Sequence, residues 1–524
     1  MTAGKYRIGA IMMFGIRRFL HKKITAVALA LLVGFLLAVS SGVAQESRPS
    51  APLSANPDKH SEGWNQAMKL KGPPLPPKFP VVGKEIERVV LENGLIVYMQ
   101  EDHRLPLFDA VAMVRAGSYY ETPEELRTAT LLGEMMRRGG TKNYNPDQLE
   151  EKLDSLVANL NVSMQQESCS VSINLLQKDA AEGLKILSEV LRNPAFDGER
   201  LELAKRQTLF NLRSSNDSPG PILRREFARL LYTEAHPAGR TPTFERIQKI
   251  ERGDLERFHQ KFFHPNQVMI GLTGDFNKAE MLKLIREIFG DWPRANVSLP
   301  PLPKVNPQPK PGVYYVSKPI NQSHFYLGHW GINRENPDRF AISLMNDILG
   351  GGSLTSRLGK RVRNDEGLAY SVGSSYPTST RDINFFISAA QTKTESTVQA
   401  IQSTLDEIRK MMATKITKNE FDMAKEMFLY SYVFNYSEPS RSLGAVMGVE
   451  FDGLSADYLA KEFAGYQAVT AADIERVAKQ YLKPDQATIF IVGDFAKIAS
   501  QAAALGEAKE LQPFNFGEPP ARGR

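Results

Sequence analysis

The sequence predicts an α+β protein made of two homologous lobes, each with mainly antiparallel sheets covered by helices, joined by a Pro-rich linker. Three observations predict this fold class. Segments of the two halves match at a constant spacing, a proline-rich stretch separates the halves, and strand-like and helix-like patterns are segregated within each half. The chain has 524 residues, 42% of them hydrophobic, and is too long for one ordinary domain.

The repeat is clearest near the end of each half, where a helical pattern, a turn with proline and a strand ending in Gly-Asp-Phe follow one another. Asp254 opens this series in the first half, and Asp473 opens it in the second, 219 residues later. A second match upstream has nearly the same spacing and pairs Leu203-Ala204-Lys205 with Met423-Ala424-Lys425. Two matches at one spacing indicate a duplicated domain.

The first half shows the order of elements that the second is expected to repeat. Asn93-Gly94 between apolar runs predicts a hairpin, and the alternation over 108–114 predicts a strand. We expect a long helix over 123–138, more strand over 160–175, and helices from 180 to 214.

Composition sets the expected boundaries along the chain. They are a signal peptide over 1–44, a Pro-rich arm over 45–84, a first lobe over 85–298, a linker over 299–311, a second lobe over 312–515 and a tail over 516–524.

The first 44 residues are typical of an export signal. A basic stretch precedes an apolar run over 25–39, and small residues end at Ala44, where we expect cleavage. The protein would then be periplasmic or secreted. The alternative is an uncleaved membrane anchor, although the run is shorter than the ~20 apolar residues of a spanning helix. Arg17-Arg18 is a weak indication of twin-arginine export.

Charge argues against nucleic-acid binding, and cysteine content excludes a fold held by disulfides. Residues 1–44 hold six of the 65 Lys and Arg and none of the 59 Asp and Glu, so the rest of the chain is neutral. That balance removes the electrostatic argument for nucleic-acid binding. Cys169 is the single cysteine, which excludes a disulfide framework, and its alternating surroundings predict a buried strand residue rather than a nucleophile.

Several short segments, taken together, resemble the pitrilysin/insulinase (inverzincin) family of metallopeptidases over about residues 85–510. The segments are Ala116-Gly117-Ser118-Tyr119-Tyr120-Glu121, Gly140-Thr141-Lys142, His236-Pro237-Ala238-Gly239-Arg240, Ser356-Arg357-Leu358 and the stretch from Arg363 to Tyr370. The resemblance implies that the two lobes form a clam-like, peptidase-like chamber.

Active members of that family carry the motif H-x-x-E-H on a helix of the first lobe. Two histidines at i and i+4 share a helix face and reach one zinc ion, and the glutamate polarises the bound water. The resemblance places Leu131 and Met135 at the histidine positions, Glu134 at the general-base position and Asn211 at the third ligand position.

No shift of register restores the motif, because no histidine occurs between His103 and His236. Leu and Met cannot replace imidazole at zinc. We therefore expect this chain to bind no metal and no other cofactor. Glu134 is then either a solvated helix carboxylate or a relic of the general base that faces a cleft.

The resemblance also implies a substrate-binding pair, Arg363 and Tyr370, which projects into the cleft between the lobes. Guanidinium and phenol groups donate hydrogen bonds to a peptide carbonyl and to the charge that develops on it. The alternative is a structural Arg363, paired with Asp365 or Glu366, and a Tyr370 half-buried on a strand. The preceding glycine run, 350–352, is expected to be a tight turn, since no P-loop lysine follows it.

Three functions follow from these residues. The first is a non-catalytic subunit that binds peptides and completes the chamber of a zinc-bearing paralogue in a heterodimer, with zinc in that partner subunit. The second is a stand-alone peptide-binding or scaffold protein. The third is an active zinc metalloendopeptidase with relocated ligands. None of the three involves nucleic acid, and each involves a membrane only if the signal segment stays uncleaved.

Overall fold

The computed structural model describes residues 77–352 and 355–518. The predicted signal peptide, most of the predicted arm and Ser353 lie outside the described residues. Among the helices of the described ranges, none combines the length and the apolar character that crossing a bilayer requires.

In the described part of the chain, the first half forms a six-stranded sheet with the order β1-β2-β6-β3-β5-β4. Its strands are β1 (Glu87–Val90), β2 (Ile96–Glu101), β3 (Leu107–Val114), β4 (Asn159–Met164), β5 (Cys169–Leu176) and β6 (Val268–Gly274). Neighbouring strands are antiparallel except β2 and β6, which are parallel. The sheet is thus mixed, and mainly antiparallel as predicted.

The first half contains eight helices among its described residues, and not all of them cover this sheet. They are α1 (Thr128–Arg138), α2 (Pro146–Ser155), α3 (Ala180–Arg192), α4 (Gly198–Ser214), α5 (Pro219–Tyr232), α6 (Phe244–Gln248), α7 (Arg252–Phe262) and α8 (Lys278–Phe289). The helix predicted over 123–138 is shorter. A 3₁₀ turn, Pro123–Glu125, comes first, and Arg127 adopts a left-handed conformation with φ 75° before α1 begins.

The second half also has six strands among the described residues, in the order β12-β7-β11-β8-β10-β9, and five of them repeat the arrangement of the first half. The exception is the edge strand β12, which comes last in its half and is parallel to its neighbour, whereas β1 comes first and is antiparallel to β2. The strands are β7 (Gly312–Ser317), β8 (Gln322–Trp330), β9 (Ala369–Ser375), β10 (Phe385–Lys393), β11 (Thr488–Gly493) and β12 (Ala508–Glu510). β7 is parallel to β11 and to β12, and the other pairs are antiparallel. The predicted fold class, two homologous α+β lobes, is confirmed.

The described part of the second half also contains helices. They are α9 (Arg339–Asn346), α10 (Thr397–Ala413), α11 (Lys418–Tyr432), α12 (Pro439–Phe451), α13 (Tyr458–Ala468), α14 (Ala471–Tyr481) and α15 (Ala499–Ala502), with π-helical segments at Asp347–Gly351 and Gly359–Asp365. The glycine run predicted to form a tight turn begins inside the first π-helical segment.

The two halves exchange helices. From the first half, α5 packs Ile222 and Phe227 against Val316 and Phe490 of the second sheet. From the second half, α12 packs Leu443, Met447 and Phe451 against Tyr98 and Met269 of the first sheet. Each sheet is thus covered on one face by helices of its own half and on the other by one helix of the other half.

Glycines on the covered strands allow the exchanged helices to come close. A Cβ at Gly271 would lie 2.3 Å from the Met447 sulfur, and a Cβ at Gly328 would lie 2.9 Å from the Phe227 ring. Arg88 adds a two-pronged ion pair across the halves, with distances of 2.6 and 2.7 Å to Glu450. The halves are therefore interlocked by packing and by charge.

The first and last described residues pack against these halves. Phe79, in the predicted arm, packs edge-on against Tyr436 with ring centroids 5.1 Å apart. Phe516, placed by the sequence in the tail, is buried against Phe244, whose backbone N–H donates to its carbonyl.

Candidate functional site

Helix α1 holds the positions where the family motif is expected. Leu131 and Met135 are buried in the main core of the first half, together with Leu132 and Met136. At Gly133 an added Cβ would lie 2.8 Å from the Met164 Cβ of strand β4, so α1 lies directly against that strand. The two histidine positions are therefore filled by side chains that belong to the core.

Glu134 lies on the solvent side of the same helix. Its carboxylate accepts a hydrogen bond from Arg138 at 3.2 Å, an i,i+4 ion pair. It also lines a small cavity of about 210 Å³ together with Arg200 and Leu203. Glu134 is thus a carboxylate paired within its helix that also lines a cleft, so it has features of both expected environments.

Asn211, the third predicted ligand position, is on α4 with an exposed side chain. Its side-chain oxygen accepts a hydrogen bond from Gln207 at 3.1 Å. The residues of α4 that share the cavity with Glu134 are instead Arg200, Leu203 and Ala204. The helix that supplies the third ligand in the resemblance does pack beside α1, but here it presents a guanidinium, a leucine and an alanine.

These side chains do not fit a zinc ion. Leucine carries no donor, the thioether of methionine is a poor zinc ligand, and an amide replaces the expected carboxylate. Among residues 77–352 and 355–518, no group of three or more His, Cys, Asp or Glu side chains has a spacing that suits a metal.

The other family-like segments of the first half position α1. The Glu121 carboxylate accepts hydrogen bonds from the backbone N–H groups of Arg127 and Ala129, at 3.2 and 2.6 Å, and so caps the helix. Burial raises the pKa of Glu121 to about 7, although those two N–H groups oppose the shift. Arg240 donates to the Glu121 carbonyl at 3.1 Å, which joins the two segments.

His236 completes this support. Its ring stacks on Tyr232 and meets Tyr119 edge-on, with centroids 4.9 and 5.5 Å apart. Nδ1 accepts a hydrogen bond from the Ala238 N–H at 3.1 Å. A Cβ at Gly239 would lie 1.9 Å from the Thr233 carbonyl oxygen, so this position requires glycine. His236 is therefore a packed structural residue.

Arg363 and Tyr370 come together on the surface of the second half. Arg363 lies in the π-helical segment Gly359–Asp365, and Tyr370 is on β9, the outermost strand of the sheet. The guanidinium carbon lies 6.0 Å from the centre of the Tyr370 ring. Tyr370 is 78% exposed. The pair therefore projects out of the lobe and not into its core.

The contacts differ from the alternative in which Arg363 pairs with Asp365 or Glu366 and Tyr370 is half-buried. Glu366 pairs with Arg361 at 2.9 Å, and Tyr370 is exposed rather than half-buried. Among the described residues, Arg363 has no ion-pair partner. Gly367, with φ +63°, makes the turn between the two segments, a conformation that favours glycine.

The expected position of the pair in a cleft between this chain's own lobes stays a prediction. A cavity of about 810 Å³ does lie between the halves, lined by Glu167 of the first and Arg441 and Asp452 of the second. Neither Arg363 nor Tyr370 lines it.

Comparison with known proteins identifies the family. The profile described as "Insulinase (Peptidase family M16)" matches residues 99–238, and the profile described as "Peptidase M16 inactive domain" matches residues 249–428. Together they cover more than half of the chain. The protein belongs to the insulinase family. The resemblance predicted from the sequence segments is thereby confirmed.

Curated relatives in this family carry both active and inactive descriptions. An "Uncharacterized zinc protease" of Rickettsia bellii is 25% identical over 341 residues, which cover 64% of this chain and 80% of that protein. A "Non-peptidase homolog YmxG" of Helicobacter pylori is 24% identical over 405 residues, 76% of this chain and 92% of that protein.

A solved insulinase-family structure supports the same fold. The peptidase M16 inactive domain from Pseudomonas fluorescens superposes with a TM-score of 0.68 at 23% identity, covering 78% of this chain and 98% of that one. At this identity the likeness establishes the fold alone. The protein is thus an insulinase-family homologue in which the zinc motif is replaced by core residues.

Sequence reasoning missed one feature of the surface. Helix α11 and the turn that continues it expose five large apolar side chains, Met423, Met427, Tyr430, Val433 and Phe434, of which all but Val433 form a stripe along one helix face. Their helical spacing is visible in the sequence, but such spacing ordinarily marks a buried face. Only the packing of the second half distinguishes an exposed stripe from a core one.

Proposed function

We propose that this protein is the non-catalytic subunit of an insulinase-family peptidase, which binds peptide and completes the chamber of a zinc-bearing partner. One observation carries the proposal. The zinc positions Leu131 and Met135 belong to the core, whereas Arg363 and Tyr370 are together and accessible on the surface. The protein keeps groups that hold a peptide and has replaced those that hold the metal.

The place of Tyr370 supports peptide binding. β9 is an edge strand, and an edge strand offers unpaired backbone groups to which an extended peptide can add as a further strand. A peptide in that position has its carbonyls within reach of donors that project from the strand and from the segment before it. Arg363 then holds a carbonyl by its guanidinium, and the Tyr370 hydroxyl donates a second hydrogen bond.

The chemistry of hydrolysis belongs to the partner. Zinc bound there would supply the activated water, while this chain orients the peptide and stabilises charge on the carbonyl oxygen. Stand-alone peptide binding is the second candidate, favoured by the same accessible pair, and differs only in having no partner.

The test is cleavage of a peptide by this protein reconstituted with the zinc-bearing family member encoded in the same genome. Loss of one positioned donor typically lowers the rate by ~10²–10³. Arg363→Ala or Tyr370→Phe should therefore cripple the assembled pair while association stays intact. Glu134→Gln is the matched control and should have little effect. If Glu134→Gln abolishes cleavage while Tyr370→Phe is silent, the roles are reversed.

Metal content separates the proposal from an active enzyme. The isolated chain should contain no stoichiometric zinc and should cleave no peptide, because Leu131, Met135 and Asn211 cannot form a zinc site. Elemental analysis and a chelator-sensitive peptidase assay on the pure protein are the measurements. About one tightly bound zinc per chain would contradict the proposal.

We also propose export to the periplasm or the medium, on the basis of the basic and apolar start of the chain. Cleavage after Ala44 leaves Gln45 as the first residue of the mature protein. Amino-terminal sequencing of protein from the native cell is the test. A mature chain that still begins near Met1, in the membrane fraction, would instead indicate an uncleaved anchor.

A further inference from the structure

The cavity of about 810 Å³ between the two halves is lined by polar and apolar groups of different origin. The first half contributes mainly the polar turn between β4 and β5, residues 165–168. The second half contributes the end of α11, helix α12 and helix α13, with tyrosine and aliphatic side chains. A concave site of this volume, with an apolar wall and a few polar groups, is typical of sites that bind a small ligand.

Helix α12 presents a face with small residues to this cavity. Arg441, Ala445 and Gly448 line the cavity at positions i, i+4 and i+7 of the helix. On another face of the helix, Met447 packs against the first sheet. A Cβ added at Gly448 would meet no atom within 4 Å, so the helix backbone is open to the cavity at that point. A glycine in such a place lets a ligand approach the backbone closely.

Two of the three carboxylates among the described lining residues form a charge network with two arginines. Glu167 of the first half lies 3.0 Å from Arg381, which in turn lies 3.9 Å from Asp452. Asp452 also lies 2.5 Å from Arg334. The two negative and two positive charges balance, so this network offers a ligand no net charge.

The third carboxylate, Glu462, is held by a chain of two tyrosines and by Arg339. The Tyr432 hydroxyl donates to Glu462 at 2.8 Å, and the Tyr436 hydroxyl donates to the Tyr432 oxygen at 3.2 Å. Arg339 lies 3.4 Å from the same carboxylate. Because both hydroxyl protons point towards Glu462, the Tyr436 oxygen is left as an acceptor for an N–H group of a ligand.

Arg441 is a cation of the lining that no carboxylate engages. Its side chain is exposed, and it forms no ion pair with any residue of the described ranges. The nearby Glu438, one turn earlier, does not line this cavity and lies 3.8 Å from Arg104. One anionic group on a ligand would therefore find one unengaged guanidinium, the group that binds carboxylates through two parallel hydrogen bonds.

Amide side chains from both halves add groups that match a peptide backbone. Gln166 and Asn435 line the cavity, and within the described part of the chain neither side chain makes a hydrogen bond. A side-chain amide carries both a donor and an acceptor, as a peptide bond does. Leu454 and Leu459 provide an apolar surface in the same cavity.

We propose that this cavity binds the carboxyl-terminal end of a peptide. The free carboxylate pairs with Arg441, the last peptide bonds pair with Gln166 and Asn435, and an apolar last side chain packs on the aliphatic part of the lining. The inference goes beyond the proposed function and does not depend on it, because neither Arg363 nor Tyr370 lines the cavity.

The experiment measures binding of two labelled peptides by fluorescence anisotropy, using the full chain without a partner. Both are pentapeptides of one sequence that ends in leucine, labelled at the amino terminus. One ends in a free carboxylate and the other in a carboxamide. The carboxylate form should bind at least ~10-fold more tightly. Equal binding of the two, or no saturation by either up to ~1 mM, would overturn the inference.

Removal of the cation tests the assignment to Arg441. Arg441→Gln should weaken binding of the carboxylate peptide by ~10-fold or more and make the two peptides bind equally. Arg206→Gln is the matched control, because Arg206 is also an exposed helical arginine without an ion pair among the described residues. The control should keep both the affinity and the preference. A carboxylate preference that survives Arg441→Gln would contradict the assignment.

A second variant tests the cavity itself. Gly448→Leu places a side chain in open space on a helix that leucine favours, so the fold should be retained while the cavity is partly filled. Binding of both peptides should weaken by ~10-fold or more. Gly220→Leu is the control, since Gly220 is a helical glycine of α5 whose Cβ would also meet nothing within 4 Å. Unchanged binding by the Gly448→Leu protein would show that the peptide lies elsewhere.

Tyr370→Ala separates this inference from the proposed function. If Arg441→Gln and Gly448→Leu weaken binding and Tyr370→Ala does not, the cavity is the site. If Tyr370→Ala weakens binding while the two cavity variants do not, the peptide is held at the proposed pair. In that case the proposed function stands and this inference fails.

Discussion

Two buried histidines, His259 and His329, make the stability of this protein sensitive to acid. Burial lowers the pKa of each from 6.5 to about 4. His329 shows the reason in its contacts: Nε2 accepts a hydrogen bond from the Lys483 N–H at 3.1 Å, and Nδ1 donates to the Trp330 carbonyl at 2.9 Å. Both nitrogens of the neutral imidazole are thus hydrogen-bonded. A second proton, which would go on Nε2, breaks the hydrogen bond from the Lys483 N–H.

The sign of the pH dependence follows from linkage. Below pH 6.5 the unfolded chain takes up protons at these histidines, while the folded protein does not until about pH 4. The free energy of unfolding should therefore decrease as the pH is lowered from 6.5 to 4, by up to about 3 kcal/mol per histidine. Denaturant unfolding at several pH values measures it. His259→Gln should flatten the slope, and the surface change His264→Gln should not.

Replacement by alanine should destabilise the protein to different extents at two glycines on the strands. At Gly328 the added Cβ would lie 2.5 Å from the Phe386 carbonyl oxygen, which is backbone and cannot move away. At Gly271 the nearest atom is the sulfur of the flexible Met447 side chain. Gly328→Ala should therefore destabilise by about 1–3 kcal/mol and Gly271→Ala by less, as measured by chemical denaturation. An equal loss at both sites would contradict this account.

At the scale of elements, the sequence was a good guide to strands and helices. The hairpin at Asn93-Gly94, strand β3 and the helices between 180 and 214 follow from local patterns of apolar residues and turn chemistry, which are properties of neighbouring residues. The predicted helix over 123–138 was too long at its start. Arg127 in a left-handed conformation and the cap by Glu121 set that boundary, and no periodicity reports a cap made six to eight residues away.

Some features of the candidate site could likewise be predicted from the sequence, and others could not. The lack of a histidine between His103 and His236 could be read from the sequence, because it depends on residue identity alone. Arg363 has no acidic partner in the described part of the chain, and Glu366 pairs instead with Arg361, an arginine two residues earlier. The exposure of the α11 stripe depends on which neighbours pack against that helix. Such facts are set by tertiary contacts, and a single sequence does not contain them.

Helix exchange is the feature that organises the whole molecule. The described residues, 77–352 and 355–518, belong to one compact unit. Each half covers one face of the other's sheet, through α5 in one direction and α12 in the other. The lobes of one chain are thus held together, and the proposed peptide-binding residue Tyr370 is exposed on an edge strand. This arrangement suits a protein that meets its reaction partner in another chain.

Cutting the linker should not separate the halves. A protease site placed between Asn306 and Pro307, in the exposed stretch joining the lobes, allows the chain to be cleaved after folding. The two fragments should elute together in size-exclusion chromatography, since the apolar contacts of Phe227 and Met447 and the Arg88–Glu450 pair all cross between halves. The same cut in a chain with Phe227→Lys and Met447→Lys should release them, because burying an unpaired charge in either contact is costly. Separate elution of the fragments from the otherwise unaltered chain would show that the linker, and not the exchanged helices, holds the lobes together.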